Sequence, residues 1–185
     1  FGDLYVRDND MMNQNLIRTI ELNGGEAVTT PYSQYINIIA DRYIKRWFAQ
    51  GLYGYAALTK ILRNLMNILD HKYHKYFKRF LPDQSNTKRA NPEELLSRFH
   101  LNIYHTGESL DNILKIFHLI HQYPDLALFV QTNPSYCCPS LVTEAMADKI
   151  EMLTGIPVVT IEYDGTGGSK NEDVIPYLKY PRESL

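Results

Sequence analysis

The chain has 185 residues, of which 44% are hydrophobic and 22% are charged, and its formal net charge is −2 at pH 7. This composition is that of a globular protein long enough to build a domain with its own core. The small net charge argues against nucleic acid and anionic membrane surfaces as partners, and no apolar run approaches the roughly 20 residues of a membrane-spanning helix.

The number of cysteines indicates the cellular compartment. Cys137 and Cys138 are the only two cysteines, and they are adjacent. Two cysteines are too few for the disulfide framework of a secreted domain, so we expect a reducing cytoplasm. The sequence begins with FGDLYV rather than with methionine, and we therefore expect one domain of a longer protein.

The first 30 residues predict a strand, a helix and a second strand. FGDLYV (1–6) is short and apolar, and MMNQNLIRTIELNGG (11–25) has apolar residues at helical spacing before two glycines. EAVTT (26–30) is the second predicted strand, which Pro31 ends. The short links indicate a βαβ unit with a right-handed crossover.

The middle of the chain, residues 33–100, is predicted to be a helical insertion between strands. Apolar residues recur every three or four positions over 33–48 and again over 53–80. The segment 81–94 holds two prolines and many polar residues, which indicates a loop or a disordered link. Within the second helix, we expect the run HKYHKYFKRF (71–80) to turn its aromatic side chains toward a core and its basic groups toward water.

The last part alternates again between helices and strands. GESLDNILKIFHLIHQYP (107–124) predicts an amphipathic helix with Ser109 as its N-cap. DLALFVQT (125–132) and IPVVTIEYD (156–164) predict buried strands, and residues 140–155 predict a helix between them. Together these elements predict one α/β domain over residues 1–185, doubly wound and Rossmann-like, with a mostly parallel sheet.

Candidate site residues follow from this topology, because ligands of open α/β sheets bind at the carboxyl ends of the strands. Three segments are predicted to lie there: DLYVRDN, TNPSYCCPS and YDGTGG. The first and third supply the candidate cofactor contacts, and YHTGES adds one histidine: Asp3, Tyr5, Arg7, His105, Asp164 and Gly165. YDGTGG does not have the lysine and the serine or threonine of a phosphate-binding loop in register, so no ATP site is predicted.

The two cysteines lie in the second of these segments. Pro139 suits the first position of a helix, which predicts Cys138 as the N-cap and Cys137 as its neighbour. A thiol at that place faces unpaired N–H groups, so its pKa should fall, and thiolates bind zinc and iron–sulfur clusters. The alternative is a small apolar pair packed in a core. Two ligands do not complete a four-ligand centre.

Several segments together resemble a known family. They are FGDLYVRDND, NGGEAVTTPYS, GESLDNILKI, FVQTNPSYCCPSLVTEAM and GIPVVTIEYDGTGGSKNEDVIPYL. They are similar to the C-terminal region, itself like the dehydratase D-component, of the large activator-type proteins of the 2-hydroxyglutaryl-CoA dehydratase and benzoyl-CoA reductase group. The similarity covers residues 1–35 and about 105–178, and the helical block between them is less diagnostic.

The resemblance implies low-potential electron transfer through a cysteine-ligated [4Fe–4S] cluster in anaerobic metabolism. Cys137-Cys138-Pro139 matches the Cys-x-Pro of dehydratase subunits, so the ligand role passes first to Cys137, with Cys138 a second ligand or a neutral neighbour. The other cluster cysteines and the nucleotide motifs of the family have no counterpart here. They would come from an ATPase activase domain in the rest of the parent chain, or from a dehydratase or reductase partner.

Three functions stay open at this point. The leading one is a module of a CoA-dehydratase activase that is not catalytic alone and contributes Cys137, with or without Cys138, to an iron–sulfur site completed elsewhere. The second is an acyl-CoA-binding, dehydratase-like enzyme domain. The third is a docking or scaffold domain that has kept the fold without the cluster.

Overall fold

A computed structural model describes residues 1–30, 32–77, 92–101 and 108–181. The chain divides into two compact units, one of Phe1–Thr30 with Glu108–Leu185 and the other of Pro31–Gly107. The described part is mixed α/β, and none of its helices combines the length and the apolar character needed to cross a bilayer.

The first unit contains a small sheet surrounded by short helices. Its helices are α1 (Leu4–Arg7), α2 (Leu16–Leu22), α6 (Glu108–Gln122), α7 (Cys138–Glu144), α8 (Ala147–Thr154) and α9 (Ile175–Lys179), with a 3₁₀ turn at Lys170–Val174. Its strands are β1 (Phe129–Pro134) and β2 (Val158–Tyr163). The strands are parallel, and their register runs from Phe129 opposite Val158 to Pro134 opposite Tyr163.

The sheet is smaller than the four predicted strands imply. The two later predictions are confirmed with shifted bounds, as β1 and β2, but residues 1–6 and 26–30 form no strand. In the first segment only Gly2 bridges to Thr132, because the Asp3 carboxylate then accepts the N–H groups of Tyr5 and Val6 and starts α1. A local helix cap therefore overrides the β pattern, and the predicted βαβ unit of residues 1–30 is wrong.

Helix bounds differ for similar local reasons. The helix predicted over 11–25 is shortened to α2, since Gln14 and Asn15 have φ angles of +53° and +60°, which a right-handed helix excludes. Helix α6 begins at Glu108, so Ser109 is a buried residue of the first turn and not the N-cap. The helix predicted over 140–155 is two helices, α7 and α8, and Gly155 ends the second in the left-handed conformation.

One apolar cluster joins β2 to the elements around it. Its buried members are Val6, Leu16, Val159, Ile161, Tyr163 and Val174. The Tyr163 hydroxyl donates to Asn171 Oδ1 at 2.7 Å, and Asn171 Nδ2 donates to the carbonyl oxygens of Asn13 and Gln14. This chain of hydrogen bonds fixes the segment before α2 to the end of the sheet, and burial raises the pKa of Tyr163.

The second unit is helical. It contains α3 (Tyr32–Ala49), α4 (Tyr53–Phe77) and α5 (Pro92–Arg98). Helices α3 and α4 form a hairpin with polar and aromatic contacts. Asn37 donates to Asn67 Oδ1 at 2.8 Å, Arg63 pairs with Asp41, and the rings of Trp47 and Tyr55 lie 5.8 Å apart. Helix α5 includes residues 92–94, where a loop was predicted, and residues 78–91 lie outside the described part.

The aromatic run of α4 faces water, contrary to the prediction of a core contact. Tyr73, Tyr76 and Phe77 are all exposed, and Phe80 lies outside the described residues. The contacts of α4 with α3 include Asn67 and Arg63, and the hairpin does not cover these aromatic side chains.

Candidate metal centre

Asp3 is held at the end of β1 by backbone pairing and by its own cap. Thr132 N–H donates to the Phe1 carbonyl at 3.0 Å, and Asp3 N–H donates to the Thr132 carbonyl at 2.9 Å. Gly2 lies between these two bonds with φ +115°, and a Cβ there would lie 2.3 Å from the Thr132 oxygen, so only glycine fits. The Asp3 side chain then accepts two N–H groups on one oxygen, Oδ1, which fixes its direction.

Cys137 follows β1 through a tight turn. Tyr136 takes φ +65°, and Cys137 N–H donates to the Pro134 carbonyl at 3.3 Å. Cys137 is the N-cap of α7 with no side-chain cap hydrogen bond, and its thiol is half-buried. The prediction of Cys138 as the N-cap is wrong by one residue, since Cys138 is the first residue of α7 and is exposed.

Glu108 is the third member of the group. It is the first residue of α6 and lies close to Asp3 and Cys137. Within the described part of the chain, these three residues form a group whose ligand atoms all lie within 4.8 Å of one another. Burial raises the pKa of Glu108, and the nearby Asp3 and Asp111 carboxylates raise it further. The Leu4 N–H, which donates to Glu108, acts in the opposite direction.

This arrangement has the features of a cation site. Two carboxylates and one thiol converge in a half-buried place, where like charges are costly unless a proton or a metal ion compensates them. One sulfur and two oxygen ligands suit a borderline cation such as Zn²⁺ or Fe²⁺ better than Mg²⁺ or Ca²⁺. Cys138 does not belong to the group.

A buried ion pair lies one turn along α6 from Glu108. Asp111 and Lys115 pair with each other, and both side chains are 1% exposed. Burial raises the pKa of Asp111 and lowers the pKa of Lys115, while their mutual attraction opposes both shifts. The two side chains therefore form a buried ion pair inside the first unit. Within the described residues, Asp111 Oδ1 has no hydrogen-bond partner.

Further polar groups surround β1 and α7. Gln131 Nε2 donates to the Ser140 carbonyl at 2.9 Å and to Asn133 Oδ1 at 3.2 Å. Asn112 Nδ2 contacts Thr143 Oγ1 at 3.5 Å. All of these side chains are buried, so the surroundings of the carboxyl end of β1 are polar. Burying polar groups is costly unless they are hydrogen-bonded, and Gln131 and Asn112 both donate to neighbouring oxygens.

The other predicted site residues have local roles. Tyr5 is 74% exposed, and Arg7 is buried, donating to Thr30 Oγ1 and to Asp8 Oδ2, each at 2.8 Å. Asp164 accepts from Lys170 Nζ and from Thr166, and these hydrogen bonds, that from Lys170 first, lower its pKa.

Gly165 and His105 complete the predicted set. Gly165 has φ +77° with open space around it. His105 lies outside the described residues. The structure thus brings two of the predicted residues together, Asp3 and Cys137, and adds Glu108 to them.

Glu108 was not among the predicted site residues. The signal that could have found it is the acid pair Glu108 and Asp111 on a helix predicted to begin near the sheet edge. Comparisons with protein-family models, with curated proteins and with solved structures return no match for this chain.

Proposed function

We propose that this chain is a metal-binding module of an electron-transfer protein of the CoA-dehydratase activase type, in which Cys137 is the thiolate ligand of an iron–sulfur cluster. The observation that carries the proposal is the grouping of Asp3, Glu108 and Cys137 within 4.8 Å. The half-buried thiol of the chain lies there beside two carboxylates, whereas the neighbouring thiol is exposed.

The donor set fits an iron centre in part. Iron–sulfur clusters are held mainly by thiolates, and the group offers one thiolate and two oxygen atoms. Cys137 would hold one iron, with Asp3 or Glu108 as an oxygen ligand, and the remaining ligands would come from another part of the parent protein or from a partner. A cluster bound there would supply a one-electron relay.

The residues around the site prepare it for a cation. Asp3 is oriented by two backbone N–H groups, and Glu108 has a raised pKa, so a proton on Glu108 competes with the metal. A cation bound there would displace any proton on Glu108 and would offset the repulsion between the two carboxylates. The Asp111–Lys115 pair next to Glu108 holds its two charges as a salt bridge and adds no net charge to the site.

The finer fold, partners and location belong to the same proposal. We propose that the sheet is of the doubly wound, Rossmann-like type, which the parallel pairing of β1 and β2 through α7 and α8 supports. An ATPase activase domain would deliver the electron, and a dehydratase or reductase would receive it. An oxygen-sensitive cluster and two free cysteines agree with a cytoplasmic location.

Anaerobic reconstitution tests the cluster directly. The full-length parent protein, which would supply the remaining ligands, and its Cys137→Ser and Cys138→Ser variants would be incubated with iron and sulfide and desalted. Iron, sulfide and charge-transfer absorbance would then be measured. We expect bound iron in the wild type and in Cys138→Ser, and its loss in Cys137→Ser. Equal iron content in all three chains would contradict the proposal. Calorimetric binding of acyl-CoA esters by an iron-free chain would favour the enzyme-domain alternative instead.

A further inference from the structure

Helix α4 has an apolar face that the hairpin with α3 leaves open. The face runs over about three turns, and its members are 42% to 66% exposed: Leu58, Ile61, Leu62, Leu65, Ile68 and Leu69. No charged residue interrupts this face between Leu58 and Leu69. Isolated exposed leucines are ordinary on a protein surface, but a continuous stripe of six marks an interaction surface.

The stripe lies on the side of α4 opposite the hairpin contact. With 100° per residue, Arg63 and Asn67, which contact α3, are centred about 180° away from Leu65. Helix α4 contacts α3 through Arg63, Asn67 and the ring of Tyr55, and its exposed opposite side is apolar, whereas a surface helix in a monomer exposes a polar side. Within the described residues of this unit, the hairpin leaves the face available for a partner.

The spacing within the stripe indicates another helix as that occupant. Leu58, Leu62, Leu65 and Leu69 are separated by four, three and four residues, which is the seam of a coiled coil. Helix α4 has 25 residues, so it offers about 37 Å of length for such a contact. The six apolar side chains expose on the order of 700 Å², close to the roughly 800 Å² that each partner buries in a stable interface.

We propose that this face pairs with the same face of a second copy of the chain, with the two α4 helices antiparallel. In that register Leu62 lies opposite Leu65 of the second copy, and Leu58 lies opposite Leu69. Each of these pairs across the interface therefore consists of two leucines. Tyr55 then lies opposite Lys72 of the second copy at both ends, which places an ammonium against an aromatic ring.

Charge selects the direction of this pairing. Lys72 continues the same seam, three residues after Leu69. A parallel pair in register would put Lys72 against Lys72, whereas the antiparallel pair puts Lys72 against Tyr55. The face itself carries no charge to recognise an acidic or basic partner, and its match to itself is what favours a second copy.

Sedimentation of the full chain across low to high micromolar concentration tests the association. We expect a reversible dimer, and we expect Leu62→Glu to weaken it by at least about a hundredfold, because each copy would bury an unpaired carboxylate against leucine. The control is Asn64→Glu, which adds the same charge to the same helix beside the face and should leave the dimer intact. Circular dichroism should show unchanged helix content in both variants, since both positions are exposed.

Three results would overturn the proposal: a monomer at all concentrations, an open-ended aggregate, or equal effects of the two substitutions. A monomer that binds phosphatidylcholine vesicles through the same residues would assign the face to lipid.

Disulfide trapping tests the direction. With Cys137 and Cys138 both replaced by serine, Leu58→Cys and Leu69→Cys chains should form a disulfide when mixed and none when separate. Cross-linking of each chain with itself would show a parallel pair and overturn the register.

Discussion

The Asp3 carboxylate and the Cys137 thiol, which are far apart in the sequence, offer ligand atoms within 4.8 Å of each other. Both positions depend on β1: Asp3 through the pairing of Gly2 with Thr132, and Cys137 through the turn that follows Pro134. The group is thus part of the sheet framework. Our central claim is that this framework, completed by Glu108, binds a metal ion.

Gly2→Ala should destabilise the first unit and weaken metal binding together. A Cβ at this position would lie 2.3 Å from the Thr132 oxygen, so the strand contact that places Asp3 must open. Thermal unfolding and metal titration would measure the two effects. The matched control is Gly168→Ala, which has a nearly equal φ of +108° but open space, and should cost about 1–3 kcal/mol with no loss of metal affinity. Equal losses in the two variants would contradict this assignment.

Glu108→Gln should change how stability depends on pH. The pKa of Glu108 is raised in the folded state, chiefly by burial, so the folded chain binds its proton more tightly than the unfolded chain. The resulting stabilisation is fully present below the ordinary glutamate pKa and is lost as the pH rises through the raised value. At neutral pH the metal-free variant should therefore be more stable than the wild type, and this advantage should vanish in acid.

Urea unfolding between acid and neutral pH would measure the effect of Glu108→Gln. Glu144→Gln is the control, because it removes the same charge from an exposed position on α7. Part of the wild-type pH dependence of the free energy of unfolding should persist in the Glu108 variant, since burial also raises the pKa of Asp111. A variant that keeps the whole wild-type pH profile would show that Glu108 does not titrate in this environment.

Lys115→Met should be among the more destabilising substitutions in the first unit. It leaves the Asp111 carboxylate buried without its counter-charge, which costs about 3–5 kcal/mol in comparable pairs. The double variant Asp111→Leu with Lys115→Met should recover much of that loss, because an apolar pair needs no compensation. Urea titration would measure the free energy of unfolding of the two single variants and of the double variant. If the losses of the single variants simply add in the double variant, the two side chains are not directly coupled.

The sequence predicts the elements that long-range periodicity controls. The helices α3, α4 and α6 and the strand β2 are confirmed nearly in full, because several turns of spacing or a run of apolar residues define each of them. The failures are local and polar. Asp3 begins a helix where an apolar strand was predicted, and a left-handed pair at Gln14 and Asn15 shortens α2. Single hydrogen bonds determine where such helices begin, and the periodicity of apolar residues does not reveal these bonds.

The candidate site was also predicted only in part. The positions of Asp3 and Cys137 at strand ends follow from topology, and the structure brings the two residues together. Glu108 is absent from the prediction, because an acid in the first turn of a helix is explained equally well by the helix dipole. Asp164 has the expected place after a strand, and its carboxylate pairs with Lys170 and accepts from Thr166, so its role as a cofactor contact stays a prediction.

Titration of the full chain with Co²⁺ under anaerobic conditions tests the central claim most directly, since thiolate coordination produces a charge-transfer band that oxygen ligands do not. The wild type and Cys138→Ser should show this band with one ion per chain. Cys137→Ser should lose it, and Glu108→Gln should weaken binding at least about tenfold, through the loss of one ligand. A band that survives Cys137→Ser, or that disappears with Cys138→Ser alone, would contradict the assignment of Asp3, Glu108 and Cys137 as the metal site.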